Sequence, residues 1–337
     1  MNLPALSLLS ATALFAGAGA AFAAPDVVVS IKPIHSLVAS IMQGVGEPKL
    51  IVAGAASPHT FSLKPSNAAT IESADIVFWV GPGMEAFLEK PLEALGSRAT
   101  VVELEDAPGL EKLPFREGGA FEAHDHGHEG EAAHEHGGHD EEHAEGEGHE
   151  HEGHEHEGHE HEHGAFDTHL WLDPMNAKAI AAEIEKTLVS ADPANAAAYQ
   201  ANAAALMQKI DALDTELKAT VEPVKDKPFI VFHDAYQYFE KRYGVSVAGS
   251  VTVSPETMPG ADRISQIHRK VTELGATCVF AEPQFEPKLV AVVTEGTPAR
   301  SATLDPEAAT LKEGPDLYFE LMRGLASSMK DCLSQGT

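Results

Sequence analysis

The chain has 337 residues, a length that suggests about two domains, and its 23 basic residues face 52 acidic ones for a formal charge of −29. That balance argues against a phosphate-binding surface, which needs Lys and Arg in excess, and so against a nucleic-acid partner. Hydrophobic residues make up 43%, enough for a sizeable core, yet 14 of the 19 histidines crowd between His124 and His163, so two different compositions share one chain.

Residues 1–23 read as a cleavable export signal. An apolar core over 3–15 gives way to Gly and Ala and ends in Ala21-Phe22-Ala23, the small-x-small pattern of a cleavage site. A charged leading region is missing apart from the terminal amine. The Gly/Ala tail makes a poor membrane span, and no later stretch approaches 18 apolar residues. The expected destination is the periplasm, with no lipid-modified cysteine at the cleavage point.

After the signal, β-type runs at 27–34, 49–52, 76–80 and 100–104 alternate with helical patterns at 35–43, 66–73 and 84–95. Strand–helix–strand alternation predicts a mainly parallel sheet covered on both faces. The alternation returns late, with strands expected at 229–232, 245–253, 278–281 and 302–304 and helices at 263–274 and 315–332. Between the two halves lie helical stretches at 176–190 and 194–221. Asp192-Pro193 supplies a cap and a first-turn proline, and no Gly or Pro interrupts 194–221, so that helix could span about 40 Å. The predicted class is α/β: two similar lobes with mainly parallel sheets, joined by one long rigid helix. The expected boundaries are an N-terminal lobe at 24–190, the linking helix at 191–221 and a C-terminal lobe at 222–337.

Residues 118–164 stand apart. They carry 16 acids and no Lys or Arg, which leaves −13 on the remainder. Dense charge, repeated Gly and scarce apolar residues predict a segment that does not fold by itself. Imidazoles every two or three residues with carboxylates between them suit divalent metals, so several weak zinc sites are expected there.

Five histidines lie outside that tract. His35 and His268 sit in contexts common for structural or surface residues. His59 falls in the turn-rich ASPHTFSLKPS, His169 opens THLWLDP where the acidic tract ends, and His233 closes the apolar run PFIVFHDAY. In open α/β sheets ligands bind beyond the carboxyl ends of strands, which is where His233 falls, and Asp305 in SATLDP has the same placement. Three imidazoles plus one carboxylate make a tetrahedral site suited to Zn²⁺. The two cysteines, Cys278 and Cys332, form an even pair in an exported chain and are a disulfide candidate.

GAASPHTFSLKPS, THLWLDPMNA, FIVFHDAYQYF, CVFAEPQF and TLDP, in that order, resemble the metal-binding solute-binding proteins of bacterial ABC importers, and most of all their periplasmic zinc-uptake branch. The acidic His-rich insertion and a disulfide in the second lobe fit that branch too. The resemblance implies two α/β lobes joined by a long helix with the metal in the cleft. It implies His59, His169 and His233 as ligands, and it places Glu282 of AEPQ close to the cleft but outside the ligand set. Some zinc members carry an acid just before the first histidine; here that position is Pro58, which leaves Asp305 or water to complete the sphere. Manganese-binding relatives use a carboxylate in place of the third histidine, so His233 favours zinc.

The expected function is capture of Zn²⁺ in the periplasm and delivery to the integral-membrane permease of an ABC importer, by a monomer without catalytic activity. A zinc hydrolase would need an open coordination position with a general base beside it, and the chain has no H-E-x-x-H. The alternatives are a manganese-binding homologue and a zinc storage or buffering protein. Storage predicts only weak sites, whereas capture predicts one tight site besides them.

Overall fold

The computed structural model describes residues 24–95, 98–116, 121, 166–252, 259–275, 278–285 and 288–335. The expected export signal (1–23) and the acidic His-rich tract (118–164, bar Phe121) therefore lie outside the described residues.

Among the described residues, eight strands form two four-stranded sheets of the same plan. The first contains β1 (Val27–Val29), β2 (Lys49–Leu50), β3 (Ile76–Trp79) and β4 (Thr100–Glu103), in the order β2-β1-β3-β4. The second contains β5 (Phe229–His233), β6 (Val247–Thr252), β7 (Cys278–Ala281) and β8 (Arg300–Thr303), in the order β6-β5-β7-β8. Every strand pairing is parallel, with Val28 opposite Val77 in one sheet and Ile230 opposite Val279 in the other. Central strands such as Ile76–Trp79 and Phe229–His233 are buried at every position, as expected where helices cover both faces.

The first strand is shorter than the run 27–34 suggested. Lys32-Pro33 opens α1 (Lys32–Ile41), with the proline in the first turn and Ile31 still extended before it. Two short helices were not expected: α6 (Gln237–Tyr243) and α8 (Lys288–Thr294). The remaining helices are α2 (Pro65–Glu72), α3 (Glu89–Leu95), α4 (Pro174–Ala191), α5 (Ala196–Val221), α7 (Ala261–Glu273) and α9 (Leu317–Ser334).

Helix α5 has 26 residues and is about 39 Å long. Its buried residues are Tyr199, Ala203, Leu206, Ile210, Leu213, Leu217 and Val221, a stripe of three- and four-residue steps along one face. Asp192 anchors the start, accepting from Tyr199 Oη (2.9 Å) and Asn195 Nδ2 (2.7 Å). Helix α5 packs on α1, α4 and α9. This helix is thus more than a connecting strut. One continuous core runs from the first sheet through α5 to Phe229 and Phe280 in the second and Met329 of α9, and a smaller cluster around Ile230, Val279 and Ile267 covers that sheet's other face.

Cys278, at the start of β7, and Cys332, in α9, are joined with a Cα–Cα distance of 6.2 Å. The bond ties the last helix to the second sheet. Among the described residues no helix is long and apolar enough to cross a membrane.

Candidate metal centre

The strand ends of both sheets converge on three imidazoles. His59 sits on a 3₁₀ turn (Pro58–Thr60) that follows β2, with Pro58 fixing the backbone of its first position. His169 immediately precedes the 3₁₀ turn Leu170–Leu172, where the chain re-enters the fold after a bridge between Pro114 and Phe166. His233 is the last residue of β5.

His59 Nε2 lies 3.4 Å from His169 Nε2, which lies 3.3 Å from His233 Nε2. The three ligand atoms fall within 4.8 Å of one another, and no other group of three or more potential ligands occurs among the described residues. A tetrahedral zinc with Zn–N bonds of 2.0–2.1 Å places its ligand atoms about 3.3 Å apart. The nitrogens thus stand near the spacing of one face of such a site.

Two rings are held from behind by carboxylates. Asp167 Oδ1 lies 2.7 Å from His169 Nδ1, and Glu282 places both oxygens 2.7 Å from His233 Nδ1. A carboxylate can only accept, so Nδ1 carries the proton in both rings and each Nε2 presents a lone pair to the centre. The carboxylates are themselves fixed. Tyr236 Oη donates to Glu282 (3.2 Å), and Gln237 Nε2 donates to Asp167 Oδ2 (3.3 Å). Lone pairs facing one another at 3.3 Å repel, and a cation between them removes that repulsion.

Electrostatics divides the three. Burial, together with the neighbouring imidazoles, holds His59 and His169 well below the ordinary histidine value, so both are neutral and ready to bind metal. Burial alone would lower His233 too, but the Glu282 charge and hydrogen bond reverse it and raise the ring above its usual value.

Asp305, expected as a fourth ligand, is not brought to the imidazoles. Its carboxylate accepts from the backbone amides of Ala309 (2.9 Å) and Thr310 (3.2 Å) and from Gln284 Nε2 (3.2 Å). An Asp that accepts from amides four and five residues ahead closes a local loop, and that use competes with a long reach into a cleft. The carboxylate that faces His59 is Glu307, with Oε1 3.7 Å from Nε2. Burial and the nearby charges of Glu282 and Asp305 push Glu307 well above the usual carboxylate range.

Asp167 and Glu307 are the residues that sequence reasoning missed. Asp167 had a signal, an acid two residues ahead of a candidate ligand. Glu307 had none, because it belongs to no strand and its reach depends on the path of a loop. His35 and His268, set aside from the start, hydrogen-bond to the carbonyls of Pro48 and Val293, both at 3.0 Å.

Two parallel sheets with three imidazoles gathered between them, His169 and His233 buried and His59 partly so, define a metal-binding protein of the two-lobed kind. Residues 27–332 match the family described as the periplasmic component A of a zinc-uptake complex, ZnuA. The chain is 59% identical to the high-affinity zinc uptake system protein ZnuA of Brucella suis biovar 1 (strain 1330), over 99% of each protein. Against the ZnuA protein of Yersinia pestis it is 35% identical, over 92% of each. A crystal structure of ZnuA shares the fold, with a TM-score of 0.70 and 24% identity over 92% of this chain and 99% of the other. The chain belongs to the ZnuA family of periplasmic zinc-uptake components.

Proposed function

We propose that the protein captures Zn²⁺ in the periplasm with His59, His169 and His233 and hands it to the membrane permease of an ABC importer. The observation that carries this reading is the set of Nε2 atoms at 3.3–3.4 Å, with His169 and His233 oriented by Asp167 and Glu282. Family membership supports the same reading, since relatives are named as high-affinity zinc uptake proteins. Three imidazoles suit Zn²⁺ better than the harder Mn²⁺, which argues against manganese as cargo. The chain has no H-E-x-x-H and its relatives are named as uptake proteins, so in this reading the ion is cargo rather than a catalyst.

Under this proposal residues 1–23 are removed on export. The lobes span 24–190 and 222–337 with 191–221 between them, and the mature protein acts as a monomer. Asp305 organises the turn that follows β8 rather than reaching the ion. The 14 histidines between His124 and His163 supply further, weaker zinc equivalents, which is where a buffering role would reside.

The experiment is a zinc titration against a competing chelator, run on the whole mature chain and on a version lacking 118–164. One tight site should survive the deletion while additional equivalents disappear. Loss of the tight site on deletion would mean that the tract supplies the primary ligands.

A further inference from the structure

His169 precedes the linking helix in the chain, yet the groups that fix it belong to the second lobe. Residues 111–116 and 166–169 form two arms, joined where Asp167 N donates to Leu113 O (2.9 Å) and where Pro114 bridges Phe166. Both arms rest on α6. Tyr238 Oη accepts from the amide of Leu113 (3.1 Å) and donates to the carbonyl of Asp167 (2.5 Å), so one hydroxyl ties the arms together. Gln237 Nε2 donates to Asp167 Oδ2 (3.3 Å). Arg116 forks across Asp234 and Glu240, with Nε 3.0 Å from Asp234 Oδ2 and a terminal nitrogen 3.1 Å from Glu240 Oε2. On the far side of His169, Tyr318 Oη of α9 donates to the Trp171 carbonyl (2.9 Å), and Trp171 Nε1 donates to Pro306 O (2.9 Å).

Tyr238, Asp167, Trp171 and Tyr318 are all buried, and removing one partner of a buried hydrogen bond leaves the other at full desolvation cost. His59 is held differently. Its 3₁₀ turn is closed from within by backbone bonds of 3.3 Å (Thr60 N to Ser57 O) and 3.5 Å (Phe61 N to Pro58 O), and the next side chain, Phe61, packs on Phe87 of its own lobe.

We infer that Tyr238 and Gln237 are positioning residues for zinc capture: acting through Asp167, they fix the ring of His169 beside that of His233, so that the second lobe carries two of the three imidazoles as one prebuilt half of the site. Neither residue touches the ion. Tyr238 sets the backbone of Asp167 and Gln237 holds its outer carboxylate oxygen. The inner oxygen then takes both His169 Nδ1 (2.7 Å) and the His169 amide (3.0 Å). Partners one step behind a ligating histidine set its orientation, and a ring ordered before the ion arrives need not be ordered on binding.

This inference rests on the three-histidine reading, and the test separates the two. Whole mature protein, Tyr238→Phe, Gln237→Ala and Tyr199→Phe are titrated with Zn²⁺ against a chelator, each with Asp167 intact and with Asp167→Ala added. One equivalent of Co²⁺ serves as a spectroscopic probe of the tight site, and a thermal melt checks folding. With Asp167 intact, Tyr238→Phe should weaken the tight site about 10-fold, the low end for partners outside the coordination sphere, and Gln237→Ala somewhat less. Both should shift the Co²⁺ absorption bands. With Asp167→Ala present, both should lose most of their effect, because the carboxylate they position is gone. Tyr199→Phe removes a buried hydroxyl that donates to Asp192 at the start of α5, and it should lower the melting temperature with affinity and bands unchanged. Unchanged affinity in both α6 variants, an equal loss in the Asp167→Ala background, or the same loss from Tyr199→Phe overturns the positioning role and leaves the histidines in place. A His169→Ala protein that keeps the tight site overturns both.

Discussion

In the first sheet, the chain leaving β3 and β4 carries Glu85 and Glu105; in the second, the chain leaving β7 and β8 carries Glu282, Asp305 and Glu307. Strand order and direction are the same, and acids follow corresponding strands in both. Their uses differ. Glu85 is fully buried and accepts from the backbone amides of Val80 (3.1 Å) and Gly81 (3.1 Å), closing the turn after β3. Glu105 lies so close to Gly81, at φ +155°, that a Cβ there would sit 2.1 Å from its Oε2. Glu282 instead spends both oxygens on the ring of His233. The second sheet places a candidate ligand, His233, in the sheet itself, whereas the first offers His59 from a short turn beyond β2. Under the proposed function, one half fixes the geometry and the other brings a ligand to it.

The largest test of this asymmetry is to remove a ligand from each side. His233→Ala and His59→Ala should each weaken tight zinc binding by orders of magnitude in a chelator competition, with His233 costing at least as much. A mild effect at His233 would remove the second sheet as the anchoring half.

Next in size is the disulfide, which belongs to the second half alone. In a chain-entropy model, closing the loop between Cys278 and Cys332, 54 residues apart, contributes about 4 kcal/mol through the unfolded state. The Cys278→Ser/Cys332→Ser protein should unfold at markedly lower denaturant concentration yet retain one tight zinc when folded. Unchanged stability would show that α9 is held by packing alone.

The first half should reveal itself through pH. Burial above all, with the Glu105 charge adding to it, pushes Glu85 up to about 7 from the ordinary 4.5. A raised carboxyl contributes stability that is complete below the unfolded value and is lost as pH rises through about 7. The loss amounts to about 3 kcal/mol, from about 1.4 kcal/mol for each pH unit. Glu85→Gln should flatten the fall in stability between pH 5 and 8 while leaving zinc affinity as it was. A Glu85→Gln protein with weakened zinc binding would break the distinction between the two sheets.

Smaller still is the effect of the bracing acid. Glu282→Gln should cost 10–100-fold in zinc affinity, since a ring whose Nδ1 partner is neutral is a weaker and less fixed ligand. Asp305→Asn should cost less than that, because its carboxylate serves the turn. An Asp305 effect as large as that of a histidine would return it to the coordination sphere.

What the sequence made legible follows from how local each feature is. Strand–helix alternation and the apolar stripe of α5 are periodic, so both sheets and the long helix could be read directly. His59, His169 and His233 each sit at the edge of an apolar run or turn that marks a strand or helix end. The helices α6 (QYFEKRY) and α8 (KLVAVVT) were missed because seven residues give barely two turns, and the β-branched run of α8 reads equally well as strand. Asp305 stands just beyond a strand end, which makes it, or water, the expected fourth ligand. The positions of Asp305 and Glu307 depend on Lys32, more than 270 residues away, gripping the loop that carries them. No local pattern encodes that contact.

Diffraction at the zinc edge from crystals of the whole mature protein grown with one equivalent of Zn²⁺ tests the central claim most directly. The account predicts one strong anomalous peak within about 2.0–2.1 Å of Nε2 of His59, His169 and His233. A peak that touches none of these imidazoles, or touches only histidines between His124 and His163, would contradict it.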